Sequence, residues 1–307
     1  MWYFLKVSQF KILQTSIYVR FILVLITHSL LILFPIPQLP PLSGPYPISF
    51  IDQEWTDPIR PEWIPPFSKS TLPRPLFIRF WYPAIIPADT HLIRKPYFPH
   101  VHIRGPAQAK EFNIPGFIIS HFSLTGTHAL FSKLPNGQVE PLPPYPGRHP
   151  LITFSHGFSG SFDQNTVLME DLVSKGYIVV SMDHTFDATC SVHPTIEKTF
   201  NINCAIPDDV IDRVKEGHID SLFELRHRQL NARMKDCDFV INQIKEKKEP
   251  AFLVPYIDTS SIIAMGHSFG GATATALSLH QDLKLIIGLD TWTFTLPQSI
   301  KENGTKA

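Results

Sequence analysis

Short apolar runs alternate with amphipathic segments through the second half of the chain. The runs PLITFSH (150–156) and GYIVVSMDH (176–184) predict buried strands, and the segment between them has helical periodicity with a glycine stop. Residues 260–266, 272–280 and 283–290 repeat this order of strand, helix and strand. Strands joined through helices pair in parallel with right-handed crossovers, so the pattern predicts an α/β fold with a mostly parallel sheet flanked by helices.

Other patterns extend this outline. PLFIRFWYP (75–83) predicts the first strand, because its aromatic and β-branched residues lie between prolines. From 221 to 248, apolar residues recur at steps of three and four, which predicts one long helix that Pro250 ends. The stretch up to about residue 148 is expected to be rich in loops, and residues 185–218 are interpreted as an insertion.

The N-terminal region has a different character. Residues 21–34 are uncharged and apolar, and as a helix they would span about 21 Å against a hydrocarbon core of roughly 30 Å, a length typical of a signal peptide. Extension back past Arg20 would make an uncleaved signal-anchor, and a buried core helix is the remaining alternative. We expect a signal peptide or anchor (1–36), a proline-rich linker that leads into irregular, edge-strand structure (37–74) and an α/β domain (75–307), which is secreted or membrane-anchored outside the cytoplasm.

Composition and charge exclude some classes of function. The 307 residues include 27 Lys and Arg and 27 Asp and Glu, so no net charge favours nucleic acid as a partner. The sequence has no C-x-x-C or H-E-x-x-H motif, and we expect neither a metal nor another cofactor. Cys190 and Cys204 either pair across their loop in an oxidising compartment or, like Cys237, stay unpaired.

The candidate nucleophile lies in the motif Gly266-His267-Ser268-Phe269-Gly270, a G-x-S-x-G sequence between a predicted strand and a predicted helix. A serine in this context occupies a strained turn, and the glycines leave room where strand and helix approach. The start of the helix directs backbone N–H groups toward a developing oxyanion. The motif therefore predicts Ser268 as nucleophile and the Phe269 amide as an oxyanion donor. A structural glycine-rich turn is the alternative.

Two further positions complete the predicted site. Phe158 follows the strand PLITFS in a His-Gly-Phe loop, so its amide is the expected second oxyanion donor, and His156 is interpreted as a structural residue of that loop. Asp290 ends a strand at the sheet edge where Ser268 emerges, which makes it the candidate acid. Asp183 also ends a strand, and we expect it to bond loop backbone instead.

These segments together resemble the plasma-type platelet-activating factor acetylhydrolases, calcium-independent phospholipases of the α/β-hydrolase fold. The likeness runs from about residue 44 to about residue 298, and the segments that carry it are GPYPI, IRFWYP, SHGFSG, LRHRQLNARMKDC, GHSFGGAT and GLDTWTF. The resemblance implies that fold, Ser268 as nucleophile, Asp290 as acid and the backbone of Phe158 and Phe269 as oxyanion hole. It also implies a phospholipid substrate with a short or oxidised acyl chain at the second glycerol position, met at a membrane or lipoprotein surface.

The sequence departs from that family at the catalytic base. After Ser268 the only histidine is His280, about 18 Å along the predicted helix, and the family's base follows a strand beyond the acid. The triad histidine is thus absent from this sequence. One interpretation is a fragment of a longer enzyme, which the exposed parallel edge of the strand before Asp290 favours. The other is a short form without turnover, since loss of the base alone costs about a million-fold in subtilisin.

The sequence therefore predicts an extracytoplasmic serine esterase acting on phospholipids. The alternatives within the fold are a dienelactone-hydrolase-like enzyme or a general carboxylesterase, and the alternative of another class is a lipid-binding pseudoenzyme. Trp292, Phe294 and Leu296, beside the candidate acid, are expected to line an acyl pocket, to touch a membrane or to pack in the core.

Overall fold

The computed structural model describes residues 17–25, 29, 35–64, 68–193, 198–201, 208–246 and 248–305. They divide into two units, residues 1–38 and 39–307. In the first unit, residues 17–25 are helical and their apolar side chains are exposed. None of the helices described in these ranges is long and apolar enough to cross a membrane. Most of the predicted apolar run 21–34 lies outside the described residues.

Strands and helices alternate through the second unit. Its strands are β1 (Ile48–Ile64), β2 (Ser68–Pro83), β3 (Leu92–Pro96), β4 (Gly126–Lys133), β5 (Val139–Pro141), β6 (His149–Ser155), β7 (Ile178–Asp183), β8 (Cys190–His193), β9 (Lys198–Asn201), β10 (Ile257–His267) and β11 (Leu285–Leu289). Its helices are α1 (Val101–Phe112), α2 (Gly116–His121), α3 (Thr166–Ser174), α4 (Asp208–Lys215), α5 (Asp220–Lys245), α6 (Phe269–Leu277) and α7 (Gln298–Asn303).

A six-stranded sheet in the order β1-β2-β7-β6-β10-β11 organises this unit. β1, β2 and β7 pair antiparallel, whereas β7, β6, β10 and β11 pair in parallel. The carboxyl ends of the parallel strands share one edge of the sheet, where polar groups of different strands can meet. The predicted α/β class with a mostly parallel sheet between helices is confirmed.

Helices cover both faces of the sheet because side chains alternate in direction along each buried strand. Leu151 of β6 packs in one core with Met234 of α5 and Ala272 of α6. Ile152, the next residue of β6, packs in a second core with Met169 of α3. The predicted long helix therefore forms, as α5, and lies against α6 on the face that also supports the candidate nucleophile.

Three regions differ in detail from the sequence expectations. The segment 37–74, predicted as a linker that leads into irregular, edge-strand structure, contains the long edge strand β1 and the start of β2. An edge strand tolerates prolines such as Pro58 and Pro61, and its register shifts beside them. The loop-rich region before residue 148 contains α1, α2 and β3 to β5, and the insertion contains β8, β9 and α4. Cys190 and Cys237 are buried free thiols, and Cys204 lies outside the described residues.

Candidate active site

Ser268 occupies a sharp turn between the end of β10 and the start of α6. Its backbone has φ 54° and ψ −116°, a region that non-glycine residues rarely adopt. A Cβ on Gly266 would lie 2.1 Å from the carbonyl oxygen of Gly270, and one on Gly270 would lie 1.9 Å from the carbonyl oxygen of Ser155. Only glycine fits at both positions, as the predicted strand–turn–helix context requires.

Two backbone amides are available beside this turn. Phe269 is the first residue of α6, so its N–H has no partner within the helix. Phe158 lies in the turn that follows β6, and Gly157 before it donates its own N–H to Gln164 Oε1 at 2.6 Å. Within the described part of the chain, neither the Phe158 nor the Phe269 amide donates a hydrogen bond. A Cβ on Gly157 would lie 3.5 Å from the His267 carbonyl oxygen, so the Phe158 loop packs against the turn at Ser268. Unpaired N–H groups beside a nucleophilic serine are what an oxyanion hole needs.

Asp290 directly follows β11 and is brought close to the turn by backbone hydrogen bonds. The Ser268 N–H donates to the Leu289 carbonyl oxygen at 2.7 Å, and the Trp292 N–H donates to the Ser268 carbonyl oxygen at 3.1 Å. Asp290 is exposed and has φ 50°, a left-handed conformation that aspartate tolerates better than most residues. Among the described residues, no side-chain hydrogen bond joins Asp290 to Ser268. Its assignment as the acid stays a prediction that its position supports.

None of the described histidines hydrogen-bonds Ser268. His280 follows α6 and its Nδ1 lies 3.1 Å from Asp238 Oδ2. His156 is fully buried, and its Nδ1 lies 2.6 Å from the Gly157 carbonyl oxygen, which fits the structural role predicted for it. His267 Nδ1 is buried and has no hydrogen-bond partner among these residues.

A buried Ser-His-Asp chain lies behind the candidate oxyanion loop. His184 Nε2 is 2.7 Å from Ser155 Oγ, and His184 Nδ1 is 3.0 Å from Asp236 Oδ2. Burial lowers the pKa of His184 to about 4, so the ring is neutral at pH 7. Because Asp236 accepts from Nδ1–H, the Ser155 hydroxyl donates to Nε2. All three side chains are buried, so the chain positions the end of β6 and presents no nucleophile to a substrate.

Two arginines stabilise the carboxylate of this chain. Arg74 donates to Asp236 through Nε at 2.6 Å and Nη2 at 2.8 Å, and Arg60 Nη1 is 2.8 Å from the same carboxylate. The pKa of Asp236 lies far below its ordinary value, because these positive charges and the His184 hydrogen bond outweigh the opposing effect of burial. The sequence pattern does not predict this network, although Asp236 is buried and directly precedes Cys237 in the apolar stripe of α5.

Asp183, the alternative acid, bonds the backbone as expected. Its Oδ1 accepts from the Phe162 N–H at 2.7 Å, and it is fully buried at the end of β7. Burial raises the pKa of this carboxyl to about 7. It holds the loop after β6 and does not approach Ser268 through any hydrogen bond in the described residues.

Aromatic side chains form a wall on the site. The centroid of the Trp292 ring lies 6.0 Å from that of Phe158 and 5.5 Å from that of Phe269. The Phe294 ring extends the cluster, with its centroid 5.3 Å from that of Trp292. Phe294 is exposed, whereas Leu296 is buried in the core. Trp292 therefore joins the two residues with free amides. Beside them opens a cavity of about 340 Å³, whose walls include Phe98, Phe112, Ile119, Phe158 and Gly160.

No group of three or more His, Cys, Asp or Glu side chains in the described part of the chain is arranged to hold a metal ion. The residues around Ser268 can supply nucleophilic attack by a serine hydroxyl beside two backbone donors and a carboxylate.

Comparison with known proteins shows which family the chain belongs to. The sequence profile described as "Platelet-activating factor acetylhydrolase, isoform II" matches residues 36–306, most of the chain. The protein belongs to the platelet-activating factor acetylhydrolase family. The resemblance found in its motifs is thereby confirmed. Named relatives include the platelet-activating factor acetylhydrolases of Canis lupus familiaris, 29% identical over 167 residues, and of Bos taurus, 28% identical over 172 residues. Each match covers 50% of this chain and 37% of the relative.

A solved structure with a similar fold is a ferulic acid esterase from Streptomyces cinnamoneus. It superimposes with a TM-score of 0.57 over 82% of this platelet-activating factor acetylhydrolase family member and 64% of the esterase, at 21% sequence identity. At that identity the likeness shows the α/β-hydrolase fold.

Proposed function

We propose that this protein is a serine esterase that hydrolyses the acyl ester at the second glycerol position of phospholipids with short or oxidised acyl chains. One structural observation carries the proposal: Ser268 lies on a strained turn before the unpaired amide of Phe269, and the loop with the unpaired amide of Phe158 packs against the same turn at Gly157. Family membership supports the substrate class.

The proposed reaction proceeds through an acyl-enzyme. Ser268 Oγ attacks the ester carbonyl and gives its proton to a base, while the amides of Phe158 and Phe269 stabilise the negative oxygen. The lysophospholipid oxygen leaves with a proton returned from the base. Water then attacks the acyl-enzyme, which releases the carboxylic acid and restores the serine. In this proposal Asp290, which follows β11 beside the turn, orients the histidine base.

The base is the one part that the described residues do not supply. No described histidine side chain hydrogen-bonds Ser268. The second candidate function is therefore a lipid-binding protein without turnover. An external base separates the two, because imidazole from solution is small enough to act beside Ser268.

The decisive assay measures p-nitrophenyl acetate hydrolysis by the full chain and by Ser268→Ala, with and without added imidazole. Serine esterase activity predicts that hydrolysis by the full chain rises with imidazole, whereas hydrolysis in the presence of Ser268→Ala stays at the rate of imidazole alone. The Ser268→Ala protein also corrects for hydrolysis by imidazole alone. Equal rates for both proteins under all conditions would reject the esterase.

Phospholipids that carry acetyl or palmitoyl groups at the second position then test the substrate class. We expect the acetyl lipid to react faster. Reaction with simple esters but with neither lipid would indicate a dienelactone-hydrolase-like enzyme or a general carboxylesterase. Saturable lipid binding without Ser268-dependent turnover would indicate the lipid-binding protein.

We also propose an extracytoplasmic location and action at a membrane or lipoprotein surface. The support is the apolar run at residues 21–34 after basic residues. Fusion of residues 1–36 to a reporter that is active only after translocation tests the location, and an inactive reporter retained in the cytoplasm would contradict it.

A further inference from the structure

The direction of the Phe158 amide depends on what holds the carbonyl group of Gly157. In a planar trans peptide the C=O of one residue and the N–H of the next point in opposite directions. The Gly157 oxygen accepts from His156 Nδ1 at 2.6 Å, from the Gly160 N–H at 3.1 Å and from Arg233 Nη2 at 3.2 Å. These donors together fix the plane of the peptide, so they also fix where the Phe158 N–H points.

Arg233 is the one of these donors that lies on a different element, helix α5. Its side chain is 1% exposed, and its Nη1 also donates to the His156 carbonyl oxygen at 2.5 Å. Its Nε donates to Asp187, which neutralises the buried charge. The guanidinium carbon lies 4.6 Å from the centroid of the Phe269 ring. A single side chain therefore contacts the residues around both candidate oxyanion amides.

The same helix acts on this loop through a second route. Asp236, three residues after Arg233, holds His184, whose backbone N–H donates to His156 Nε2 at 3.2 Å. This bond assigns the proton of the neutral His156 ring to Nδ1, where it can be donated to Gly157. Burial and the nearby charge of Arg233 keep the pKa of His156 well below its ordinary value, which maintains the neutral ring.

We propose that Arg233 is a positioning residue for the oxyanion hole. By holding the carbonyl groups of His156 and Gly157, it keeps the Phe158 N–H directed at the reacting oxygen. Because hydrogen bonds in a chain polarise one another, donation to the Gly157 oxygen also makes the Phe158 N–H a stronger donor. This inference rests on the proposed esterase function, and it assigns a catalytic purpose to the segment LRHRQLNARMKDC.

Isotope labelling can observe the peptide bond between Gly157 and Phe158 directly. The sequence contains two Gly-Phe pairs, Gly116-Phe117 and Gly157-Phe158. Carbonyl-¹³C glycine with ¹⁵N phenylalanine therefore gives two peaks in an HNCO spectrum of the full chain. The carbonyl shift reports on hydrogen bonds that the glycine oxygen accepts, and Gly116-Phe117, in helix α2, is an internal control.

The main variant is Arg233→Lys, which keeps a positive charge beside Asp187 but cannot donate from a planar fork to two carbonyl oxygens. We expect the Gly157-Phe158 peak to move and the Gly116-Phe117 peak to stay. In the imidazole-supported assay we expect kcat to fall roughly 10- to 100-fold while KM changes less than about two-fold. A merely structural role would leave the kcat of the folded protein unchanged.

A matched control is Arg79→Lys, which also alters a buried arginine in a carboxylate pair. Arg79 is 2% exposed and its hydrogen bonds go to Asp52, at 2.5 Å and 2.8 Å, away from the loop carbonyl groups. We expect its two HNCO peaks and its kcat to match the wild type. If Arg233→Lys does not fold, the double variant Arg233→Met with Asp187→Asn removes both buried charges together and should give the same spectral shift and loss of kcat.

Two results with an active wild type would overturn the positioning role. One is a Gly157-Phe158 peak that stays in place in the folded variants. The other is a peak that moves while kcat remains that of the wild type. A wild type without Ser268-dependent hydrolysis, even with imidazole, would instead refute the proposed esterase, and the positioning role would fall with it because no reaction would use the oxyanion hole.

Discussion

The two sides of the candidate site are held in different ways. The oxyanion side, which comprises residues 155–158 and 266–270, is stabilised by buried side-chain hydrogen bonds, and Ser155 is 1% exposed. The acid side, residues 285–292, lies on the edge strand β11, where Leu285 is 48% exposed and the links to the turn are backbone hydrogen bonds. Burying a polar group without a hydrogen-bond partner destabilises the folded protein. The polar groups of the buried oxyanion side therefore require specific partners, whereas those on the exposed edge strand can bond to water.

The largest difference in stability between the two sides should follow from replacing one aspartate by asparagine on each side. Asp236→Asn leaves the buried Arg74 guanidinium without its negative partner, and we expect the free energy of unfolding to fall by about 3–5 kcal/mol. Asp290→Asn alters an exposed side chain and should change it by less than about 0.5 kcal/mol. Urea unfolding followed by tryptophan fluorescence measures both. Similar losses in the two variants would remove the contrast.

A second pair of variants tests how closely the backbone packs on each side. In Gly270→Ala the new methyl group would lie 1.9 Å from the Ser155 carbonyl oxygen, and we expect a loss of about 3 kcal/mol because neither backbone can yield. In Gly288→Ala, on β11, the nearest atom is the Thr291 hydroxyl at 2.2 Å, which can rotate away. The loss there should be about 1 kcal/mol. Thermal unfolding of both proteins gives the comparison, and a greater loss for Gly288→Ala would contradict it.

The smallest expected effect is a pH dependence of the free energy of unfolding, which arises from His184 on the buried oxyanion side. The pKa of His184 is about 4 in the folded protein, lowered mainly by burial, against about 6.5 in an unfolded chain. Between these values the unfolded chain binds a proton that the folded protein does not, so the free energy of unfolding falls as the pH falls from about 6.5 to 4. His184→Gln removes this contribution.

The difference in unfolding free energy between the wild type and His184→Gln should therefore shrink by on the order of 1–3 kcal/mol from pH 7 to pH 4. Urea unfolding at several pH values within this range measures the change. Parallel pH curves for the two proteins would show that His184 exchanges no proton on unfolding.

Sequence patterns predicted the structural elements that are determined by residues close together in the chain. The turn at Ser268, the strand that ends at Asp290 and the long helix α5 each lie within one contiguous segment, and each is found where the pattern placed it. The edge strand β1 lies in the segment whose prolines predicted irregular, edge-strand structure, but its length of 17 residues follows only from its pairing with β2.

The residues that brace the oxyanion side were also missed. Arg233 contacts Gly157, and Asp236 contacts His184, across long stretches of sequence that only the folded sheet brings together. One signal was present: Arg233 lies three residues after Leu230, inside the apolar stripe of α5. A charged residue at such a position has to meet a buried partner, but the pattern does not identify the partner.

The close approach of Gly270 to Ser155 has a consequence for how the site can evolve. Where two main chains touch with no side chain between them, the spacing of the backbone segments that hold the serine and the amides is determined by that contact and cannot relax through a change of rotamer. Divergence in what the protein accepts must then occur elsewhere, at side chains such as Phe294 that protrude into solvent, while the reacting groups keep their separation.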